Sequence, residues 1–128
     1  MRYLTAEEIL AIHERLIEET GGLNGLRDPG LLFSIAERPK TTLMGIEMFI
    51  GLETKAAVYM ESIATYHVFT DANKRTALTV ASVFLRANGY EISVPETAGL
   101  RYVLAVAQKK KKIGEIAAWL KKYSKKVK

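Results

Sequence analysis

The chain has 128 residues, 48% of them hydrophobic, which is enough to bury the core of one domain and argues against intrinsic disorder. There is no cysteine, which excludes disulfides and thiolate metal sites, and charged residues interrupt every long apolar stretch, so we expect neither a signal peptide nor a membrane segment. The net charge of +5 comes from the C-terminal end, so it does not indicate nucleic-acid binding, and we predict a single cytoplasmic domain over residues 1–128.

The first predicted helix runs from about Ala6 to Thr20. Thr5 and Glu8 have the spacing of a capping box, in which each side chain accepts a hydrogen bond from the backbone N–H of the other residue. His13 is interpreted as a structural histidine at the edge of the core, because the second histidine of a zinc-protease signature is missing. The glycines at residues 21–22 should end the helix.

A second helix should begin at Asp28, an N-cap residue, with Pro29 in the first helical position. It should end near Arg38, since Pro39 disfavours helical conformation in the residue before it. From the residues alone, Arg38 and Lys40 are interpreted as surface charges.

Residues 45–66 form a long, largely apolar stretch that predicts a helix, with a break allowed near Gly51. Its apolar residues recur at helical spacing: Leu52, Ala56, Tyr59, Met60 and Ile63. The polar side of this helix should be supplied by Glu53, Lys55 and Glu61.

The window at residues 67–75, His-Val-Phe-Thr-Asp-Ala-Asn-Lys-Arg, concentrates the reactive side chains of the chain. We interpret it as a loop between two helices, with Asn73 near the start of the second. The backbone N–H groups at a helix start, together with the helix dipole, favour a bound phosphate. Lys74 and Arg75 would add full positive charges at that point.

Three other residues of the window have distinct predicted tasks. Asp71 is its one carboxylate, a hard oxygen ligand suited to Mg²⁺ held jointly with nucleotide phosphates. His67 can accept a proton from an attacking hydroxyl near neutral pH. Phe69 should point inward and anchor the loop to the core. Since no P-loop or dinucleotide-binding glycine pattern is present in the sequence, this window is the candidate site for phosphoryl or nucleotidyl transfer.

A central helix is predicted from Thr76 to Asn88, and its wide apolar face indicates the most buried element of the fold. Residues 90–94 should form a short strand or an extended link. Further helices are predicted from Pro95 to about Gln108 and from Lys112 to Ser124. The pattern as a whole predicts an all-α, compact bundle of five to seven helices around the central helix.

The C-terminal residues 109–128 hold nine lysines against Glu115, a balance of +8, whereas residues 1–108 have a balance of −3. The basic end is interpreted as a solvated helix face with a lysine-rich tail, and an accessory attraction for an acidic partner stays open.

The window at residues 67–75 resembles the signature of the Fic/Doc family. Lys74 stands in the eighth place, where Fic enzymes proper usually have glycine, and this resembles the Doc ("death on curing") branch. Flanking stretches that resemble the Doc pattern lie at residues 21–23, 26–31, 38–39 and 84–89. The resemblance covers roughly residues 1–95 in order.

This resemblance implies a Fic-like helical bundle and an enzyme that uses ATP and Mg²⁺ to transfer the γ-phosphate to a protein hydroxyl. It implies His67 as general base or phosphate-relaying group, Asp71 as the Mg²⁺ ligand, and Asn73, Lys74 and Arg75 as phosphate binders. In the Doc branch the target is a threonine of elongation factor Tu, and the toxin is held inactive by a Phd-type antitoxin.

Three alternatives stay open. One is the transfer of AMP, the reaction of Fic enzymes, although the second arginine of their motif is replaced here by Leu78. Another is a catalytically silent helical module that only binds partners, and the third is a nucleic-acid-binding module. Many Fic enzymes restrain themselves through a glutamate followed by glycine or asparagine. No such pair occurs in this sequence, so the resemblance implies restraint by a separate protein.

Overall fold

The computed structural model describes residues 1–127, and six α-helices make up most of them. The helices are α1 (Ala6–Thr20), α2 (Pro29–Glu37), α3 (Leu52–Tyr66), α4 (Asn73–Ala87), α5 (Glu96–Ala107) and α6 (Ile113–Tyr123). Two antiparallel ribbons join them, β1 (Thr42–Leu43) with β2 (Ile46–Glu47) and β3 (Tyr90–Ile92) with β4 (Ser124–Lys126). The predicted all-α fold of five to seven helices is therefore confirmed.

The first two helices begin where their capping residues predict. In α1, the Glu8 N–H donates to Thr5 Oγ1 at 3.1 Å and the Thr5 N–H donates to Glu8 Oε1 at 3.0 Å, which completes the capping box. In α2, Asp28 Oδ1 accepts the Leu31 N–H at 3.0 Å, and Pro29 takes the first helical position. Local hydrogen bonding is sufficient to place both starts, because the partners lie three residues apart.

The most buried helix is α3, and the prediction that the central helix α4 would be the most buried was wrong. Every residue from Lys55 to Ala64 except Glu61 is buried, whereas α4 leaves Val83 partly exposed. The reason is that α3 packs against α2, α4, α5 and α6, whereas the neighbours of α4 are α1, α3, α5 and the short strand β3. The width of the apolar face of a helix does not show how many other elements will pack against that helix.

Residues 45–51 do not form the helix that was predicted there. Thr42–Leu43 and Ile46–Glu47 pair as a hairpin instead, and α3 starts only after Gly51. At the hairpin tip, Met44 and Gly45 have φ of 52° and 78°, the two left-handed residues of a tight turn whose twist suits paired strands. Gly51 also has positive φ, 98°, which stops any helix from continuing into α3.

Lys55 was assigned to the polar side of α3, but its side chain is buried. Its ammonium donates to the carbonyl oxygens of Phe49 at 2.6 Å and Pro39 at 3.2 Å, and to Glu47 Oε1 at 2.9 Å. Pro39 lies before the hairpin, Glu47 in its second strand and Phe49 after it, so one lysine ties the whole hairpin segment to α3. A buried ammonium is tolerated because its hydrogen bonds and ion pair offset the loss of hydration.

Arg38 is also more than the surface charge that was predicted. Its Nη1 donates to Glu61 Oε1 at 2.6 Å and to Ser62 Oγ at 2.7 Å, and the guanidinium lies over the rings of Phe49 and Tyr66. The half-buried guanidinium thus ties the end of α2 to α3.

The last strand of the structure pairs with the segment that follows α4. The predicted extended stretch after α4 is confirmed as β3. Its partner β4, which follows α6 directly, was not predicted, because two of its three residues are lysines and the segment was interpreted as a solvated tail. In α6, Ile116 and Leu120 are buried, while Trp119 stacks on Tyr102 with ring centroids 4.2 Å apart. Across the described residues 1–127, we find no helix with the length and apolar character needed to cross a membrane.

Replacing Lys55 with methionine should lower the free energy of unfolding by about 2–3 kcal/mol, because three hydrogen bonds from a charged donor are lost while the apolar stem is kept. Urea denaturation measures this change. Lys121→Met, on an exposed position of α6, is the matched control and should change stability by less than about 0.5 kcal/mol. Equal effects of the two substitutions would contradict the role of Lys55.

Candidate active site

Two loops pair to build the site: the front loop between α1 and α2 (residues 21–28) and the motif loop between α3 and α4 (residues 67–72). The Arg27 N–H donates to the Val68 carbonyl at 2.9 Å, and the Thr70 N–H donates to the Gly25 carbonyl at 3.0 Å. Between these bonds lies an antiparallel bridge of one residue from each loop. The motif loop is thus held by backbone groups of a segment more than 40 positions earlier in the chain.

Both ends of the motif loop have strained backbone. His67, at the end of α3, has φ 52° and ψ 47°, and Ala72, just before α4, has φ 62° and ψ 28°. Residues other than glycine rarely adopt this left-handed conformation, which costs roughly 1–2 kcal/mol each. Such strain persists where the surroundings determine the conformation, and it is common at functional sites.

Phe69 holds the motif loop from within. Its side chain is fully buried and stacks on the His13 imidazole, with ring centroids 3.9 Å apart and planes 4° from parallel. His13 is itself buried rather than at the edge of the core, and its Nε2 donates to the Asp71 carbonyl at 2.8 Å. One buried pair of rings from α1 and the motif loop therefore fixes the backbone at Asp71.

The Asp71 carboxylate is exposed and held by two backbone amides. Its Oδ1 accepts the Ala72 N–H at 2.8 Å, and its Oδ2 accepts the Leu23 N–H at 3.2 Å. The bonds from Leu23 and then Ala72 lower the pKa of this carboxyl below its usual range. These hydrogen bonds favour the ionised form, and each oxygen keeps a free lone pair with which it can bind a hard cation.

Asn73, the first residue of α4, closes the motif loop onto itself. Its Oδ1 accepts the Phe69 N–H at 3.1 Å, and its Nδ2 donates to the Phe69 carbonyl at 2.9 Å. One amide hydrogen remains for a ligand. Within residues 1–127 no side chain caps the start of α4, which leaves the first N–H groups of this helix available to an anion.

A cleft of about 530 Å³ lies at the start of α4 and extends along α5. Its lining residues are Asp71, Ala72, Asn73, Lys74, Arg75, Thr97, Leu100, Arg101 and Leu104. Lys74 is exposed, and Arg75 is half-buried, with its Nη2 3.9 Å from an oxygen of the exposed Glu96. The cleft therefore combines one carboxylate, one carboxamide and several cations around a helix start.

Four of the five predicted polar site residues thus meet in one place: Asp71, Asn73, Lys74 and Arg75. His67 is exposed at the other end of the motif loop and is not among the described residues that line the cleft. An exposed imidazole is open to a large molecule arriving from solution. A small ligand can therefore enter the cleft, while a macromolecule can reach His67 from solution.

The oxygen ligands that line the cleft can bind a metal ion only if a bound molecule supplies the remaining ligands of that ion. Among residues 1–127 no group of three or more histidine, cysteine or acidic side chains could hold a metal ion. Asp71 alone offers free carboxylate oxygens in the cleft. This fits Mg²⁺, which is often held by one or two carboxylates together with phosphate oxygens and water.

Sequence reasoning missed the contribution of the front loop and of α5. A Cβ on Gly22 would lie 2.8 Å from Asp71 Oδ2, and one on Gly25 would lie 2.5 Å from Thr70 Oγ1, so both glycines allow the loops to approach. From the residues alone, the pair at residues 21–22 was interpreted as a helix stop, and residues 21–23 were otherwise noted only for their resemblance to the Doc pattern. Arg101 carried no local signal, because it is the single basic residue of α5 and belongs to no motif.

Comparisons with known proteins match the part of the chain that builds this site. The model described as "Fic/DOC family" matches residues 3–85, which include both loops and most of α4. "Protein kinase doc" of Escherichia phage P1 is 41% identical over 101 residues, covering 78% of this chain and 79% of that protein. "Toxin Doc" of Mycolicibacterium smegmatis is 36% identical over 91 residues, covering 71% of this chain and 68% of its own length.

Substituting Gly22 with alanine should displace the Asp71 carboxylate and weaken its bond from Leu23, so that the pKa of Asp71 rises toward its ordinary value. Carbon-13 NMR titration of the carboxyl groups measures this pKa. Gly21→Ala is the matched control, because Gly21 also has positive φ, 82°, but nothing lies within 4 Å of its added Cβ. The control should show the backbone strain alone and leave the pKa of Asp71 unchanged. A shift of the same size in both variants would contradict the contact.

Proposed function

We propose, since the chain belongs to the Fic/Doc family in its Doc branch, that it is a toxin with protein kinase activity. It would transfer the γ-phosphate of ATP to a serine or threonine hydroxyl of a translation factor, with elongation factor Tu as the expected target, and so arrest translation. The observation that carries this proposal is the cleft at the start of α4, in which a carboxylate, a carboxamide and two motif cations converge.

The triphosphate of ATP would lie at the start of α4. The backbone N–H groups there point along the helix axis, and the helix dipole favours an anion. Lys74 adds a point charge, and Arg75 can grip two phosphate oxygens with its planar guanidinium. Only the exposed Glu96 approaches Arg75 as an ion-pair partner within residues 1–127, and at 3.9 Å it is readily displaced by phosphate.

Asp71 would hold Mg²⁺ together with phosphate oxygens, and the bound ion would offset the negative charge of the phosphate chain. The chain's own contribution is to keep that carboxylate ionised and in place. Two backbone N–H groups, from Leu23 and Ala72, stabilise the charged form. The His13 bond to the Asp71 carbonyl fixes the backbone behind it.

His67 would act on the acceptor protein. The acceptor hydroxyl oxygen attacks the γ-phosphorus and gives its proton to the imidazole, while the bond from the γ-phosphorus to the β,γ-bridging oxygen breaks and ADP leaves. An exposed imidazole at the loop end can meet a hydroxyl presented by a folded protein. Histidine is the side chain whose charge state most readily changes near neutral pH, which suits this proton transfer.

The kinase reaction is favoured over AMP transfer by two residues. Lys74 occupies the motif position at which a glycine would leave space for phosphate, so its side chain favours a different pose of the nucleotide. Leu78, which packs against Gly99 of α5, stands where a second motif arginine would be. A phosphate arrangement that depends on that arginine has no counterpart here.

The relatives named for toxin or kinase activity support a place in a toxin–antitoxin module. The partner would be a Phd-type antitoxin that restrains the enzyme, because the sequence has no glutamate followed by glycine or asparagine to serve as a built-in inhibitor. Since translation factors are cytoplasmic, the toxin would act in the cytoplasm, and we expect no direct nucleic-acid binding.

The direct test is incubation with Mg²⁺, purified elongation factor Tu and ATP labelled in either the γ- or the α-phosphate. The γ-label should appear on a hydroxyl side chain of the factor, and His67→Ala should reduce labelling by at least about 100-fold, because the general base is lost. Lys121→Ala, on the exposed side of α6, is the control and should label normally. Transfer of the α-label instead would replace the kinase assignment by AMP transfer.

Lys74→Gly should shift the products toward AMP transfer, because removing the side chain opens the space in which a nucleotide can bind in the other orientation. Mass spectrometry of the labelled factor separates a phosphoryl from an adenylyl adduct. Lys74→Ala, which keeps a Cβ, should shift the products less. If Lys74→Gly gives the same product as the unmodified enzyme, the side chain does not determine the pose.

A further inference from the structure

We propose that Arg101, on α5, is a third cation of the phosphate site, and that the α5 face around it forms the second wall of the nucleotide cleft. The inference rests on the proposed function, and it identifies the ligand class of the cleft as a nucleoside polyphosphate. Arg101 lies outside the motif window and outside residues 3–85, the part of the chain that the family model matches.

The spacing of the lining residues on α5 supports this wall. Thr97, Leu100, Arg101 and Leu104 all line the cleft and follow one another by three, one and three positions. This is the spacing of a single helix face. The buried residues Val103 and Val106 lie on the other side of α5, in the core. The helix thus presents one face to the core and a second face, more than one turn long, to the cleft.

A close contact between α4 and the buried side of α5 holds α5 beside the motif. A Cβ on Gly99 would lie 3.0 Å from Leu78 Cδ2, so the backbone of α5 passes directly over the side chain of Leu78. Arg101 follows two residues later, and Glu96 reaches Arg75 from the first turn of the same helix.

Arg101 is available for a ligand. Its side chain is exposed, and none of the ion pairs found within residues 1–127 involves it. Arg2, Arg15, Arg38, Arg75 and Arg86 are all engaged with carboxylates. An exposed guanidinium between two leucines, facing a cleft that already holds Lys74 and Arg75, matches a ligand with more negative charge than those two neutralise.

The chemistry of the wall fits both parts of a nucleotide. The guanidinium can bind two oxygens of a phosphate group in a fork. Leu100 and Leu104, on either side of Arg101 along the helix, offer apolar surface against which a base or ribose can lie, and Leu104 is 43% exposed. Inorganic phosphate would use only the first of these features. A nucleoside triphosphate would use both.

The test is isothermal titration of the full chain with ATP, ADP and AMP in the presence of Mg²⁺, for the unmodified protein, Arg101→Gln, Arg101→Lys and Arg86→Gln. Arg101→Gln should weaken ATP binding about tenfold or more, the effect of losing a charge-assisted hydrogen bond. AMP binding should weaken less, and Arg101→Lys should recover part of the loss. Arg86, an exposed arginine at the far end of α4, is the control, and its substitution should leave all three affinities within about twofold.

The outcomes separate this inference from the proposed function. If ATP binds the unmodified protein and Arg101→Gln equally well, the role of Arg101 is overturned while the proposed function stands. A uniform loss for ATP, ADP and AMP would place Arg101 at the part that all three share, the nucleoside with its α-phosphate, and would overturn its role as a cation for the polyphosphate. If the unmodified protein binds no ATP, both proposals fail together. Circular dichroism of each variant confirms that the fold is retained.

Discussion

The pairing of the front loop with the motif loop is the constraint on which the candidate site depends. Two backbone hydrogen bonds, 2.9 and 3.0 Å long, fasten the motif loop at Val68 and Thr70. They hold a loop whose ends, His67 and Ala72, have left-handed backbone that would relax if the loop were free. This pairing also brings Leu23 of the front loop to the Asp71 carboxylate, which lies beside the start of α4.

Most hydrogen bonds of the polar side chains Asp71 and Asn73 are made with the backbone of the two loops. Asn73 uses most of its carboxamide to bind the backbone of Phe69, and Asp71 accepts two backbone N–H groups. What remains is one amide hydrogen, free carboxylate lone pairs and the first N–H groups of α4. Groups that are fixed in this way need little reordering when a ligand binds, which is the preorganisation that phosphoryl transfer requires.

Features that depend on nearby residues could be predicted from the sequence, and features that depend on distant contacts could not. The caps of α1 and α2 and the composition of the motif window are local features. From the caps, the starts of α1 and α2 were predicted correctly. The burial of Lys55 could not be predicted, because its acceptors lie in and on either side of a hairpin that replaced part of an expected helix. The approach of Gly22 to Asp71 and the position of Arg101 in the cleft arise from packing between segments about 50 and 25 residues apart in the chain.

The account therefore depends on a nucleotide cleft between the start of α4 and one face of α5, with Asp71 fixed at its edge. A crystal structure with Mg²⁺ and a non-hydrolysable ATP analogue tests this claim most directly. The account predicts the phosphates within hydrogen-bond distance of the backbone N–H groups of Lys74 and Arg75, and the ion bound to Asp71. A nucleotide bound with its phosphates away from the start of α4, or an ion without Asp71 as a ligand, would contradict it.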